Sequence, residues 1–86
     1  MKNRRRIEAT ERIKTILKTR SSVLFSQIEH VHDIRDVNLT LREEIVEELA
    51  DELGEKGLLP DSEPSPYGHE LESLIDACEL ASRRRE

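Results

Sequence analysis

The chemistry-bearing residues fall into four groups. The first is Glu29-His30-Val31-His32-Asp33, two imidazoles and two carboxylates within five positions. Glu29 and His32 form an E-x-x-H pair, the spacing by which helical di-iron bundles aim two ligands at one metal. Such a centre needs a second pair and two further carboxylates, and the chain has one pair. His30 and His32 would point to different faces of a helix, and His69 stands three residues after Pro66. A solvated face bearing Glu29, His32, Asp33 and Asp36 is the simpler expectation, with no metal. The second group runs from Asp61 to Glu72. Asp61, Glu63, Ser65, the Tyr67 carbonyl, His69 and Glu72 copy the ligand positions of a calcium loop. The sixth position of such a loop needs glycine for its turn, and Pro66 occupies it; Pro64 stiffens the fourth. Ser65-Pro66 is explained as well by a helix start. Third, Cys78 lies at helical spacing from Leu71, Leu74 and Ile75, as a small core side chain would. No glycine-rich phosphate loop or nucleophile elbow accompanies it. No cofactor and no enzymatic activity are expected.

The fourth group is charge. Residues 1–20 carry a local +6, residues 21–80 a local −13 and residues 81–86 a local +2, within an overall −5. Glu43, Glu44, Glu47, Glu48, Asp51, Glu52 and Glu55 crowd seven carboxylates into about four helical turns, against Arg42 and Lys56. Their i, i+4 like-charge pairs each cost a few tenths of a kcal/mol. The functional expectation is a docking surface for a basic protein, which neutralises those charges and associates by electrostatic steering. Asp61, Glu63, Tyr67 and Glu70 extend it, with Tyr67 as the aromatic anchor. The partner-binding set is therefore Glu43, Glu44, Glu47, Glu48, Asp51, Glu52, Asp61, Glu63, Tyr67 and Glu70. A competing reading puts Lys2, Arg4, Arg5, Arg6, Arg12, Lys14, Lys18 and Arg20 on nucleic acid. Phosphates would repel Glu29, Asp33 and Asp36 in the next segment, so nucleic acid is disfavoured. A third reading is a homodimer pairing the basic segment of one copy with the acidic body of another.

The elements that must position these groups are helical. Ile13, Ile16 and Leu17 mark an amphipathic first segment, and Leu24, Phe25, Ile28, Val31 and Ile34 a second, over about 23–35. Ser21-Ser22 offers a cap between them, although a continuous helix over 5–35 would also keep Leu17, Leu24 and Val31 in register. Thr40-Leu41-Arg42-Glu43 reads as a capping box opening a helix to about Lys56. Leu41, Ile45, Leu49 and Leu53 form its stripe, widened by Val46 and Ala50. Gly57 suits a left-handed stop, with Leu58 closing over Leu53. A proline-rich loop follows over residues 59–66. Ser65 as cap and Pro66 at the first helical position then start the last helix, whose apolar face is Tyr67, Leu71, Leu74, Ile75 and Cys78.

Eighty-six residues make one domain, 1–86. Ile, Leu, Val and Phe number 23, enough for a small core, while Phe25 and Tyr67 alone offer no base-stacking platform. No apolar run approaches the ~18 residues of a membrane span, and no secretory stretch follows the basic start. A single cysteine allows no internal disulfide and no cysteine-based zinc site. The cytoplasm is the expected compartment. The expected fold is an all-α bundle of three to four helices, with the basic ends 1–6 and 83–86 as tails.

The chain resembles small bacterial immunity proteins, the acidic helical inhibitors of nuclease bacteriocins. Its length, the helix start Thr40-Leu41-Arg42-Glu43-Glu44-Ile45-Val46 and the loop end Ser65-Pro66-Tyr67-Gly68 carry the resemblance, over roughly residues 40–75. That family's short third helix with paired tyrosines has no counterpart, and Gly57-Leu58-Leu59-Pro60 stands there instead. No contact residue is carried over. The resemblance implies a class of function: a non-enzymatic immunity- or antitoxin-like inhibitor of a basic partner such as a toxin.

Overall fold

The computed structural model describes the backbone of residues 4–83 and the side chains of residues 7–79. Helix α1 spans Arg4–Arg20 and α2 spans Ser22–Ile28; a 3-10 turn covers Ile34–Asp36. Helix α3 spans Leu39–Lys56 and α4 spans Pro66–Arg83. The all-α bundle expected from periodicity is what forms. Among the described residues no helix is long and apolar enough to cross a membrane. Residues 4–6, expected in a tail, are the first turn of α1, and Arg83 closes α4; the tail expectations for 1–3 and 84–86 lie outside the described residues.

One core joins all elements. Ile13, Ile16 and Leu17 of α1 meet Leu24 and Ile28 of α2, Ile34 and Val37 of the connection, Ile45 and Leu49 of α3, and Leu71, Leu74 and Cys78 of α4. Ala50 stays exposed, so the α3 stripe is narrower than its sequence suggested.

The break at Ser21 is real. Its backbone is extended (φ −151°, ψ 96°) and its Oγ accepts from the Leu24 amide at 3.4 Å. The second segment then stops at Ile28, well short of the expected 35. Two side chains of α1 account for the early end. The buried Lys14 ammonium donates to the carbonyls of Glu29 (3.3 Å) and Val31 (2.8 Å), capping the end of α2. The buried Thr10 hydroxyl accepts from the Ile34 amide at 2.7 Å, fixing the start of the 3-10 turn.

Helix α3 begins before the expected capping box. Asn38 is the cap, its Oδ1 accepting from the Leu41 amide at 2.8 Å, and Thr40 is exposed inside the first turn. Val37, 3% exposed, is anchored in the core immediately upstream, so the chain leaves the core at Asn38 in an extended conformation that a cap requires.

The stop at Gly57 also differs from expectation. Its φ is −98°, outside the left-handed region, and Leu58 is 43% exposed instead of covering Leu53. The glycine serves a close approach. A Cβ on Gly57 would lie 3.0 Å from the Gly68 Cα, and one on Gly68 would collide with the Gly57 carbonyl oxygen. The end of α3 and the start of α4 therefore touch backbone to backbone. Ser65 locks the joint: its Oγ donates to the Gly57 carbonyl and accepts from the Gly68 amide, each at 3.0 Å. Between these ends the proline-rich loop is closed by Leu59 N–H to Glu63 O (2.7 Å) and Ser62 N–H to Leu59 O (2.8 Å). Ser62 takes φ 71° at its tip.

Candidate functional site

Helix α3 carries its carboxylates on two sides, and the bundle treats them differently. On the inner side, the buried set is Arg42, Ile45, Leu49 and Glu52, spaced three and four apart. Helix α1 presents Arg20 at the end of its own stripe, three residues after Leu17. The Arg20 guanidinium donates from Nη1 to Glu52 Oε1 (2.5 Å) and Glu55 Oε1 (3.2 Å), and from Nε to Glu48 Oε1 (3.0 Å). One cation thus gathers three of the seven α3 carboxylates. From α4, the Tyr67 hydroxyl donates to Glu52 Oε2 at 2.7 Å. Both oxygens of a carboxylate only 5% exposed are therefore bonded. Arg12 extends the seam with a bidentate pair to Glu70 (2.7 and 3.2 Å) and lies 6.0 Å from the Tyr67 ring centroid.

The titration behaviour follows. Burial pushes the Glu52 carboxyl up, but the Tyr67 hydroxyl, Arg20 and Lys56 outweigh it and hold the group below its ordinary range. Burial and then the bond to Glu52 push the Tyr67 phenol up to about 12. Hydrogen bonds to Glu55, Glu52 and Glu48 raise Arg20 further.

On the outer side, Glu43, Glu44, Glu47 and Asp51 are exposed and form no ion pair with any described residue. Arg42, the cation expected to offset them, is 2% exposed and turned inward. It donates to the carbonyls of Ile34 (3.5 Å) and Arg35 (3.3 Å). The ten expected partner-binding residues are thus divided. Glu48, Glu52, Tyr67 and Glu70 are engaged within the molecule. Glu43, Glu44, Glu47 and Asp51 remain together on the outer face of α3. Asp61 and Glu63 are exposed in the loop, where Asp61 Oδ1 accepts from the Glu63 amide at 3.1 Å.

The remaining candidates are also placed. Glu29 caps α2 and His32 lies beyond it, so the E-x-x-H pair does not share a helix. Ser65 is used at the glycine joint, and Tyr67, His69 and Glu72 lie on α4, so the calcium pattern is spread over loop and helix. Among the residues of the nucleic-acid reading, Lys14 and Arg20 turn inward, Arg12 pairs with Glu70 at the surface and Lys18 lies 6.0 Å from the Phe25 ring centroid. The side chains of Lys2, Arg4, Arg5 and Arg6 lie outside the described residues. Burial raises the Cys78 thiol to about 12, against the lowering influence of Arg42, which leaves it a poor nucleophile at neutral pH.

Fold and site together define a small all-α protein with a neutralised charged seam inside and a carboxylate face outside. No protein-family model, curated protein or solved structure matches the chain.

Proposed function

We propose that the protein is a non-enzymatic binding module that docks the outer face of α3 on a basic protein. In its most concrete form it is an immunity- or antitoxin-like inhibitor that covers the basic rim of its partner. The observation carrying this reading is the division of charge on α3. Arg20 neutralises Glu48, Glu52 and Glu55, while Glu43, Glu44, Glu47 and Asp51 are left exposed and mutually repelling. Uncompensated like charges raise the energy of the free molecule, and a basic partner relieves it. The intramolecular pairing of Arg12 and Arg20 also removes much of the reason for the basic segment to seek a second copy.

The test is charge reversal confined to that outer face, Glu43, Glu44, Glu47 and Asp51 to Lys together. Retained helical circular dichroism with loss of the partner captured by the unaltered protein is expected. The loss should arise mainly from slower association, because steering acts at long range. An unchanged set of captured partners overturns the reading.

A further inference from the structure

The outer face of α3 borders an open groove of about 530 Å³ between α3 and α4. Its apolar surface comes from Leu39 and Val46, with the buried Cys78 behind them, and its rim carries Glu43, Glu47 and Glu79. Arg42 also lines it, its guanidinium donating to the Ile34 and Arg35 carbonyls. Leu39 is 53% exposed, an unusual position for a large aliphatic side chain at a helix start. On its other side a shallower depression of about 370 Å³ reaches Gln27, Leu41 and Glu44.

We infer that this groove holds an amphipathic basic helix of the partner. An apolar side chain of that helix seats on Leu39 and Val46, and its Lys or Arg residues pair with Glu43, Glu47 and Glu79. The inference rests on the docking function proposed above and specifies its occupant. Charge complementarity selects a cationic ligand, since all three rim groups are carboxylates outside any ion pair with a described residue. Glu43 and Glu47 stand one helical turn apart, about 6 Å along the axis, the repeat at which a helix presents Lys or Arg at i and i+4. An extended peptide would leave its backbone groups unpaired here, because the groove is walled by helices and offers no strand edge. A helix satisfies its own backbone and needs only side-chain contacts. A second copy of this chain fits less well: its Arg12 and Arg20 are already bound to its own carboxylates.

The experiment is titration of the full-length, ¹⁵N-labelled protein with two synthetic peptides of identical Leu and Lys composition. One has leucines at i, i+3, i+4 and i+7; the other is scrambled. Saturable shifts at Leu39, Val46, Glu47, Cys78 and Glu79 with the amphipathic peptide alone are expected. Val46→Glu should weaken that binding about tenfold or more, and Leu39→Glu serves if the Val46 variant loses its dispersed spectrum. Equal binding of both peptides, with shifts at Glu44 and Asp51 and none in the groove, overturns the inference and leaves the docking function standing. Binding of neither peptide overturns both. Self-association of the protein abolished by Leu39→Glu assigns the groove to a second copy and also overturns the inference.

Discussion

The inner and outer sides of α3 both carry carboxylates, and those carboxylates have opposite fates. Inside, Glu48, Glu52 and Glu55 converge on one arginine and one phenol, and their repulsion becomes a clamp that ties α1, α3 and α4 together. Outside, Glu43, Glu44, Glu47 and Asp51 meet only solvent and each other among the described residues. Carboxylate count alone therefore does not mark an interface. Position relative to the apolar stripe decides which charges the fold itself consumes and which stay exposed.

The largest expected effect comes from breaking the inner face. Arg20→Ala leaves Glu52 buried with one partner and should destabilise the protein by about 3 kcal/mol in urea unfolding. Glu44→Ala on the outer face serves as the comparison and should change little. A loss below 1 kcal/mol for Arg20→Ala would put both faces in the same class.

Next in size is the joint that brings Tyr67 onto Glu52. Gly68→Ala forces a Cβ into the Gly57 carbonyl and should cost about 2 kcal/mol, at the centre of the range for overpacking. Gly54 has open space where its Cβ would be, so Gly54→Ala should stabilise by about 0.5–1 kcal/mol. Equal thermal midpoints for the two variants would remove the glycine joint from the account.

The seam should also read out in pH. Glu52 titrates below its ordinary range, so its contribution is present above the unfolded carboxyl value and is lost as pH falls through the depressed one. Tyr67 behaves in the opposite sense: its contribution is complete below 10 and disappears as pH rises from 10 to about 12. Tyr67→Phe should erase that alkaline step in stability measured by denaturant unfolding. An alkaline profile identical to that of the unaltered protein would assign the step elsewhere.

The smallest effect sharpens the outer face. Glu47→Gln removes like-charge pairs with Glu43 and Asp51 and should stabilise the protein by a few tenths of a kcal/mol, less in high salt. A destabilisation instead would show that Glu47 has an attractive role in the free molecule.

Much of the framework was legible because capping chemistry is local. Ser21 and Ser65-Pro66 act as their types predict, and the stripes Ile13–Leu17, Ile45–Leu49 and Leu71–Cys78 are the core. At Thr40 the capping-box pattern pointed two residues too late, because Asn38 is also a good cap by type. Asn38 prevailed because Val37, beside it, is held in the core. The larger omission was polar residues occupying stripe positions. Thr10, Lys14 and Arg20 fall in register with Ile13 and Leu17; Arg42 and Glu52 fall in register with Ile45 and Leu49. Read by type they belong to the solvent, and read by spacing they belong to the interior. The spacing was the better guide, but their partners lie 7 to 35 residues away along the chain, on other elements, and no local pattern announces them.

The short α2 shows what such long-range partners imply for how the molecule comes apart. Seven residues are too few for a helix to persist alone in water. Lys14 holds the carbonyls of its C-cap Glu29 and of Val31 beyond it, and Thr10 holds the Ile34 amide of the following turn, both from α1. Detaching α1 withdraws these partners together, so α2 opens with it, while Arg42 of α3 still holds the Ile34 and Arg35 carbonyls of the turn. The α3–α4 pair, closed by its own glycine joint, is the unit left behind, and the Arg20 clamp is the bolt between the two.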